Sequence, residues 1–273
     1  MGTVACLLVS CCLEQFRADI LAQVVANLQE QAPQLREQLC VFDNASSVPG
    51  VSDLLRANFA HVFQTDRNVG YWSAIDWWLD QLQGTPPDYT YIIESDMVHY
   101  AFPRVWDAAA LLDHHPDLGA VRLYEYSVAN LHLYNKDNPR PDSRREAWQS
   151  HTNKVTGRGI VHDRLEGNFW RTNFLTHLPA LNRYSAMVEA FAELRKYPHF
   201  TELDFQRLYN DQHPYPHIAL LDGGIFHCNL GSPFTGAPTG SWSSPEDLKR
   251  LGYHPTRFTS IVPRDQYKVS RVR

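Results

Sequence analysis

The chain has 273 residues, of which 44% are hydrophobic, and its formal net charge is -5. This length is enough for one large core or two small ones. Acidic and basic residues are interspersed along the chain, so the charge pattern argues against a nucleic-acid partner.

The apolar start of the chain, residues 4–13, is too short to span a membrane and lacks the basic flank of a signal peptide. We therefore interpret it as a first strand and expect no integral membrane segment. The five cysteines form no CxxC pair, which favours free thiols in a reducing compartment over disulfides or a zinc site. Together these features predict a cytoplasmic protein.

Strand-like and helix-like segments alternate through the first half of the chain. Runs of β-branched, aromatic and other apolar residues predict strands at 4–9, 39–42, 61–63, 89–93 and 119–124. Helices are predicted from Val51, after Gly70 and from Pro103. Helical spacing predicts another helix that runs to about Gln31 and includes Leu13, Phe16, Ile20, Val24 and Leu28. This alternation predicts an α/β fold with a mostly parallel, Rossmann-like sheet and helices on both faces.

The pattern dissolves between residues 125 and 166, where a long polar connection is typical of a functional or locally disordered loop. Beyond it, apolar spacing predicts helices around 185–196 and 202–210 and a strand at 218–221. The last segment, residues 256–273, is a basic tail.

An acidic segment, Glu94-Ser95-Asp96, directly follows the predicted strand at 89–93. Carboxyl ends of parallel strands form the edge where open α/β sheets bind ligands. Carboxylate oxygens, completed by substrate phosphates, are the usual ligands of Mg²⁺ and Mn²⁺. The segment therefore predicts a metal–diphosphate site, although such a pair can also be a turn or a helix cap. Other strands end in polar residues too, at Ser10, Asp43-Asn44 and Asp66-Arg67-Asn68.

The order of these segments resembles the GT-A fold of nucleotide-sugar glycosyltransferases, most closely glycosyltransferase family 2. The matching segments are Val9-Ser10, residues 41–46, Asn68-Val69-Gly70 and Glu94-Ser95-Asp96. The resemblance implies one GT-A domain over residues 1–273. It would comprise a nucleotide-sugar-binding half (1–125), an acceptor and catalytic half (126–255) and the basic tail (256–273).

The resemblance also implies roles for single residues around the donor. Asp43 corresponds to the acid that contacts the nucleobase, and Glu94 and Asp96 to the metal ligands. His227 resembles the histidine that completes the metal shell, with a chance strand-end histidine as the alternative. Arg264 is the candidate for a tail residue that closes over the diphosphate, unless the tail is simply solvated. The expected nucleotide-binding residues are Ser10, Asp43, Asn68, Gly70, Ser95 and Arg264.

Acids at 202 and 204 resemble the general base that deprotonates the acceptor hydroxyl in inverting enzymes of this fold. The family has adjacent acids, whereas Leu203 separates Glu202 from Asp204, and two acids can also simply stabilise a helix N-terminus. The stretch 167–171 resembles the segment before the acceptor helix. The expected acceptor or sugar contacts are Glu166, Asn168 and Trp170, with a core role as the alternative for Trp170.

The resemblance implies a Mn²⁺- or Mg²⁺-dependent hexosyltransferase. It would move a sugar from a nucleoside-diphosphate donor, most often UDP-linked, to a hydroxyl of a soluble small-molecule, saccharide or peptide acceptor, with inversion. A sugar nucleotidyltransferase is one alternative, but Ser10-Cys11-Cys12 lacks its glycine-rich loop and basic residue. A carbohydrate-binding or scaffold protein with a degenerate site is another, and the presence of Glu94, Asp96 and His227 together argues against it.

Overall fold

The structure is a computed structural model that describes residues 2–99, 101–127, 162–166, 169–172, 179–200, 204–205, 208–209, 217–227 and 260–272. Its strands are β1 (Val4–Ser10), β2 (Cys40–Asp43), β3 (His61–Thr65), β4 (Tyr89–Glu94), β5 (Met97–His99), β6 (Ala120–Ser127), β7 (His162–Glu166), β8 (Phe169–Thr172), β9 (Ala180–Arg183), β10 (His217–His227) and β11 (Val269–Arg271). Its helices are α1 (Gln15–Gln31), α2 (Leu35–Gln38), α3 (Val51–Asn58), α4 (Tyr71–Gln81), α5 (Pro103–His114) and α6 (Tyr184–Leu194). Short 3₁₀ turns lie at Leu82–Gly84 and Arg264–Gln266.

Four parallel strands form the N-terminal part of the sheet, in the order β3-β2-β1-β4. Residues 6–10 of β1 are buried between their neighbours, as the apolar sequence of this strand predicts. Ser10 lies opposite Asp43 of β2, and Val9 lies opposite Glu94 of β4. Because the strands end at nearly the same level, their last residues meet at one edge of the sheet.

The sheet continues beyond β4 with mixed strand directions. The short strand β9 runs antiparallel between β4 and β6, and β6 is parallel to β10. β10 also pairs antiparallel with β8 and with β5. The α/β fold is confirmed. The predicted loss of pattern from residue 125 is wrong at its two ends, where β6 extends to Ser127 and β7 occupies 162–166.

Helix α1 packs its apolar face into the core through residues such as Leu21, Val24 and Leu28, each fully buried. The helix begins at Gln15, so Leu13 precedes it, and 56% of Leu13 is exposed. The prediction that Leu13 belongs to the apolar face is therefore wrong. Periodicity cannot separate the last loop residue from the first helical turn when both are apolar.

Helix α4 carries three tryptophans that join the two halves of the core. The ring of Trp77 lies 5.2 Å from that of Phe42 and 4.9 Å from that of Phe63, so it packs on β2 and β3. The ring of Trp72 lies 5.0 Å from that of Phe205 in the C-terminal half. Large aromatic contacts of this kind fix the position of α4 beneath the ends of the strands.

The C-terminal tail returns to the N-terminal half. β11 pairs antiparallel with β3 at the edge of the sheet, and the backbone N–H of Val272 donates to the carbonyl of Val62 at 2.9 Å. Tyr267 is only 7% exposed. The described part of the tail, residues 260–272, thus includes an edge strand, which the interpretation as a solvated basic tail did not anticipate.

Four cysteines in the described parts of the chain, Cys6, Cys11, Cys12 and Cys40, are free thiols, as predicted, and Cys228 lies outside the described residues. Among the described helices, none has the length and apolar character needed to cross a membrane.

Candidate functional site

A cavity of about 690 Å³ opens where β1 and β4 end and α4 begins. Its size is within the range of small-molecule sites, and its place at the carboxyl ends of parallel strands is where open α/β sheets bind ligands. The structure brings six of the residues predicted from sequence to this cavity. These six are Ser10, Asn68, Gly70, Glu94, Ser95 and Asp96.

Asp43 lies behind the cavity wall rather than in it. The residue is 1% exposed, and its carboxylate accepts hydrogen bonds from Ser10 Oγ at 3.3 Å, the Ser46 backbone N–H at 3.2 Å and Gln64 Nε2 at 3.1 Å. Burial raises the pKa of Asp43, and the hydrogen bonds from Ser46, Ser10 and Gln64 oppose that rise. Asp43 is therefore not among the described residues that line the cavity, and its oxygens hold the loop after β2.

The next residue, Asn44, lines the cavity instead. Its Oδ1 accepts a hydrogen bond from the Val69 backbone N–H at 2.8 Å, and its Nδ2 donates to Asn68 Oδ1 at 3.0 Å. Asn68 Oδ1 also accepts from the Gly70 backbone N–H at 2.8 Å. We call Asn44 and Asn68, with the loop they hold, the amide side of the cavity. Each amide is held by the other and by backbone, so this side is ordered and neutral.

Gly70 sits at the start of α4 with φ of 84° and ψ of 161°. Side-chain-bearing residues rarely adopt a positive φ, so glycine suits this position, and a Cβ there would meet no atom within 4 Å. Gly70 and Tyr71 both line the cavity. The N-terminus of α4 therefore faces it with the partial positive charge that attracts anions at helix N-termini.

Glu94 ends β4, Ser95 and Asp96 form the turn before β5, and all three are half-buried on the cavity wall. We call these three residues the acid side of the cavity. Their carboxylates bring negative charge to a space whose amide side is neutral. That combination suits a cation more than an anionic group on this side.

A side-chain clamp holds β5, which directly follows the acid side. Asn27 of α1 donates from Nδ2 to the His99 carbonyl at 2.8 Å, and the His99 backbone N–H donates to Asn27 Oδ1 at 2.7 Å. His99 is fully buried, and its Nε2 lies 2.8 Å from Tyr91 Oη on β4. Burial lowers the pKa of His99 to about 3, so the ring is neutral at physiological pH. The clamp therefore holds β5, the strand that directly follows Asp96 in the chain.

The backbone of β10 brings His227 to the same region. In the antiparallel pairing of β10 with β5, His227 lies opposite Met97, the residue that follows Asp96. The side chain of His227 is outside the described residues. Among the described side chains, no group of three or more histidine, cysteine or acidic residues is placed to hold a metal ion.

Arg17 is a cavity residue that sequence reasoning missed. It lies in the first turn of α1, its side chain is 50% exposed, and its Nε lies 4.0 Å from a carboxylate oxygen of Glu14. A basic residue was sought directly after β1, whereas Arg17 lies seven positions further on. The start of a helix directly after a strand of the binding edge is the signal that could have indicated it.

The structure does not bring Arg264 to the cavity. Its guanidinium donates to Asp80 Oδ2 at 3.0 Å and lies 3.3 Å from Asp76 Oδ2, and both acids are on α4. Two neighbours in the tail, Ser260 and Val262, line the cavity instead. The guanidinium of Arg264 is therefore paired with two acids of α4 and does not line the cavity.

The predicted acceptor-side residues are only partly described. Asp204 is half-buried beside the buried Phe205, and it is not among the described residues that line the cavity. Trp170 lies on β8 with its backbone opposite Ala219 of β10. Glu166 ends β7, and its side chain, like that of Trp170, is outside the described residues, as are the whole of Glu202 and Asn168 and most of the predicted helix at 202–210.

Comparison with solved structures decides the fold. One similar structure is the mannosyltransferase PcManGT from Pyrobaculum calidifontis in complex with GDP-Man and Mn²⁺. The alignment covers 92% of this chain and 68% of the PcManGT chain, with a TM-score of 0.53 and 16% sequence identity. The chain has a GT-A fold. S. aureus TarS 1–349 matches 91% of the chain with a TM-score of 0.52 and 13% identity, and this chain spans 63% of that TarS fragment. Other crystal structures of S. aureus TarS 1–349 are complexes with UDP or with UDP-GlcNAc.

At the level of sequence, no protein-family model matches the chain, and no curated protein matches it.

Proposed function

We propose that the chain is a metal-dependent glycosyltransferase. It moves a hexosyl group from a UDP-linked donor to a hydroxyl of a soluble acceptor, with inversion at the anomeric carbon. The observation that carries the proposal is the placement of Glu94 and Asp96 together on the cavity where β4 ends, in a chain with a GT-A fold. Structural neighbours that contain UDP, UDP-GlcNAc, or GDP-Man with Mn²⁺ support it.

The donor atoms on the acid side fit Mn²⁺ or Mg²⁺. Glu94 and Asp96 offer carboxylate oxygens, the ligands that these ions prefer, from a half-buried turn. We assign His227 as a third ligand, because its backbone lies opposite Met97 and because imidazole suits Mn²⁺. When bound, the ion would neutralise charge on the leaving diphosphate.

The rest of the cavity offers groups for the other parts of a nucleotide. The amide side, with Asn44 and Asn68, and the neighbouring Ser10 give a neutral polar surface for the nucleoside. Arg17 and the N-terminus of α4 offer positive charge for diphosphate oxygens. We therefore assign to Arg17 the diphosphate contact that the sequence suggested for Arg264.

The acceptor half supplies the base in this proposal. The acceptor oxygen forms its bond to the anomeric carbon as the bond from that carbon to the diphosphate oxygen breaks. The hydroxyl proton passes to the carboxylate of Asp204, with Glu202 as the second candidate. Displacement from the side opposite the leaving group inverts the anomeric centre. Glu166, Asn168 and Trp170 are assigned to the acceptor and sugar.

Product release tests the activity directly. The parent protein is incubated with UDP-glucose, UDP-GlcNAc or GDP-mannose, with Mn²⁺ or with EDTA, and free nucleoside diphosphate is measured. We expect Mn²⁺-dependent release of UDP that acceptor saccharides accelerate. Pyrophosphate release from UTP and a sugar 1-phosphate would indicate a nucleotidyltransferase instead. Saccharide binding without any nucleotide affinity would indicate a binding protein.

Substitution of the acids tests the assignment of the base. A group that only deprotonates the acceptor acts in the transition state, so Asp204→Asn should lower kcat about 10²–10⁴-fold with the donor KM unchanged. Glu202→Gln should have a smaller effect. The exposed acid Asp107 on α5 gives the matched control, Asp107→Asn, with unchanged kcat. Normal turnover in both the Asp204 and Glu202 variants would contradict the assignment.

A further inference from the structure

The C-terminal segment contributes to the cavity although it is far from the other lining residues in sequence. Ser260 and Val262 are both half-buried and line the cavity beside residues of the β3–α4 loop. We call residues 260–264 the C-terminal wall. The other described residues that line the cavity lie between residues 9 and 96, so this wall adds to a site that the N-terminal half builds among the described residues.

Two contacts attach the C-terminal wall to α4. The Val262 backbone N–H donates to Ser73 Oγ at 3.0 Å, and Ser73 is fully buried in the first turn of the helix. One turn and two turns further along, Asp76 and Asp80 accept the guanidinium of Arg264 at 3.3 Å and 3.0 Å. The wall therefore lies along α4, the helix whose N-terminus faces the cavity.

The chain after the wall is anchored separately. The Lys268 backbone N–H donates to Asp66 Oδ1 at 3.2 Å, and the Asp66 backbone N–H donates to the Lys268 carbonyl at 3.3 Å. Pairing of β11 with β3 continues this attachment. Loss of the Arg264 contact would thus leave the wall attached to α4 through the Val262–Ser73 hydrogen bond, while the end of the tail stays paired with the sheet.

The same two acids hold a second arginine on their other oxygens. Arg195, which follows α6, donates from Nε to Asp76 Oδ1 at 2.8 Å and from Nη2 to Asp80 Oδ1 at 2.7 Å. Arg264 takes the Oδ2 atoms of both acids. The two arginines are therefore matched in their partners but differ in what they attach: Arg195 attaches α6, and Arg264 attaches the C-terminal wall.

We propose that the C-terminal wall is part of the donor-binding site and that Arg264 is a positioning residue, which holds the wall on α4 through Asp76 and Asp80. This inference rests on the proposed function, since it assigns the wall to the binding of a nucleoside diphosphate. Arg264 acts through Val262 and Ser260 and does not itself contact the phosphates.

The test compares Arg264→Gln with Arg195→Gln in the full chain. Binding of UDP, and separately of GDP, in the presence of Mn²⁺ is measured by calorimetry, and exchange of the Val262 amide is followed by mass spectrometry. We expect Arg264→Gln to weaken nucleotide affinity about tenfold, which corresponds to about 1.4 kcal/mol, and to accelerate exchange at Val262. Arg195→Gln should lower the melting temperature but leave both readouts near those of the parent. Arg264→Lys should recover part of the affinity.

A double-mutant cycle with Asp80→Asn separates positioning from direct phosphate contact. If Arg264 acts through α4, the Arg264→Gln and Asp80→Asn effects on nucleotide affinity are not additive. Additive effects with an unchanged Val262 amide would overturn the inference and make Arg264 a phosphate ligand. Unchanged affinity in Arg264→Gln would also overturn it. If the parent itself binds neither nucleotide, the proposed function fails. Independently of that result, exchange of the Val262 amide in Arg264→Gln as slow as in the parent would refute the positioning role.

Discussion

The two sides of the cavity are stabilised in different ways. On the amide side, Asn44 and Asn68 bond to each other and to the backbone before α4, and Asp43 stays behind them. On the acid side, Glu94 and Asp96 bring charge to the cavity, and the Asn27 clamp holds β5, the strand that follows Asp96. The difference indicates that one side fixes the shape of the site, whereas the other supplies its charge. Substitutions on the two sides should therefore have separable consequences.

The largest effect is expected from Asp96→Asn, which keeps the shape of the side chain and removes its charge. Loss of a metal ligand should lower Mn²⁺ affinity by more than the about 10–100-fold that follows loss of an outer-shell partner. We expect the Mn²⁺-dependent gain in UDP affinity to disappear while affinity in EDTA is unchanged, as measured by calorimetry. A variant that keeps the full Mn²⁺ effect would show that the two sides do not differ in this way.

A smaller effect on the same side is expected from Asn27→Leu. This change removes both hydrogen bonds of the clamp without touching the cavity, so Mn²⁺ affinity should fall roughly tenfold, as for other partners outside the ligand shell. The matched control is Asn58→Leu, because Asn58 is also a half-buried helical residue whose amide bonds to a carbonyl, that of Leu54. Electron paramagnetic resonance of free Mn²⁺ gives the affinities. Equal losses in both variants would mean that the clamp has no specific role.

On the amide side, Asn44→Ala should act on stability rather than on metal dependence. It leaves the buried Val69 N–H without its acceptor, which should cost about 1–3 kcal/mol of unfolding free energy in urea titrations. UDP affinity should fall by the same factor with Mn²⁺ and with EDTA. A loss confined to the Mn²⁺ condition would contradict the separation of the two sides.

The last effect is confined to acid pH and concerns His99, behind the acid side. Burial lowers its pKa from 6.5 to about 3, so between these values the unfolded chain binds more protons than the folded one. Its contribution to stability is complete above pH 6.5 and is lost as the pH falls through this window, at up to about 1.4 kcal/mol per pH unit. We expect His99→Gln to have a shallower decline of unfolding free energy between pH 6.5 and 4. An unchanged slope would assign the acid sensitivity to other groups.

Much of the N-terminal half could be predicted from sequence because its strands are apolar and parallel and alternate with helices. Such strands place their last residues at one edge, so Ser10, Asn68 and Asp96 could be grouped without a structure. The direction of a side chain at that edge is set by its neighbours. Asp43 therefore turns toward Ser10 and Gln64, and no pattern in the sequence indicates this.

The short strands and the tail were harder to predict, since tertiary contacts create them. β5, β9 and β11 have three or four residues each, too few to show alternation. Arg264 belonged to a run of basic residues that is usually solvated. Its partners, Asp76 and Asp80, lie four positions apart on α4, a spacing that puts two acids on one face of a helix and could have indicated a basic partner.

A crystal structure of the protein with Mn²⁺ and UDP tests the central claim most directly. We predict the ion at carboxylate oxygens of Glu94 or Asp96, at distances of about 2.0–2.6 Å, with the nucleotide in the cavity between the amide side and the C-terminal wall. His227 within coordination distance would complete the assignment. A nucleotide bound elsewhere, or an ion away from both acids, would contradict the account.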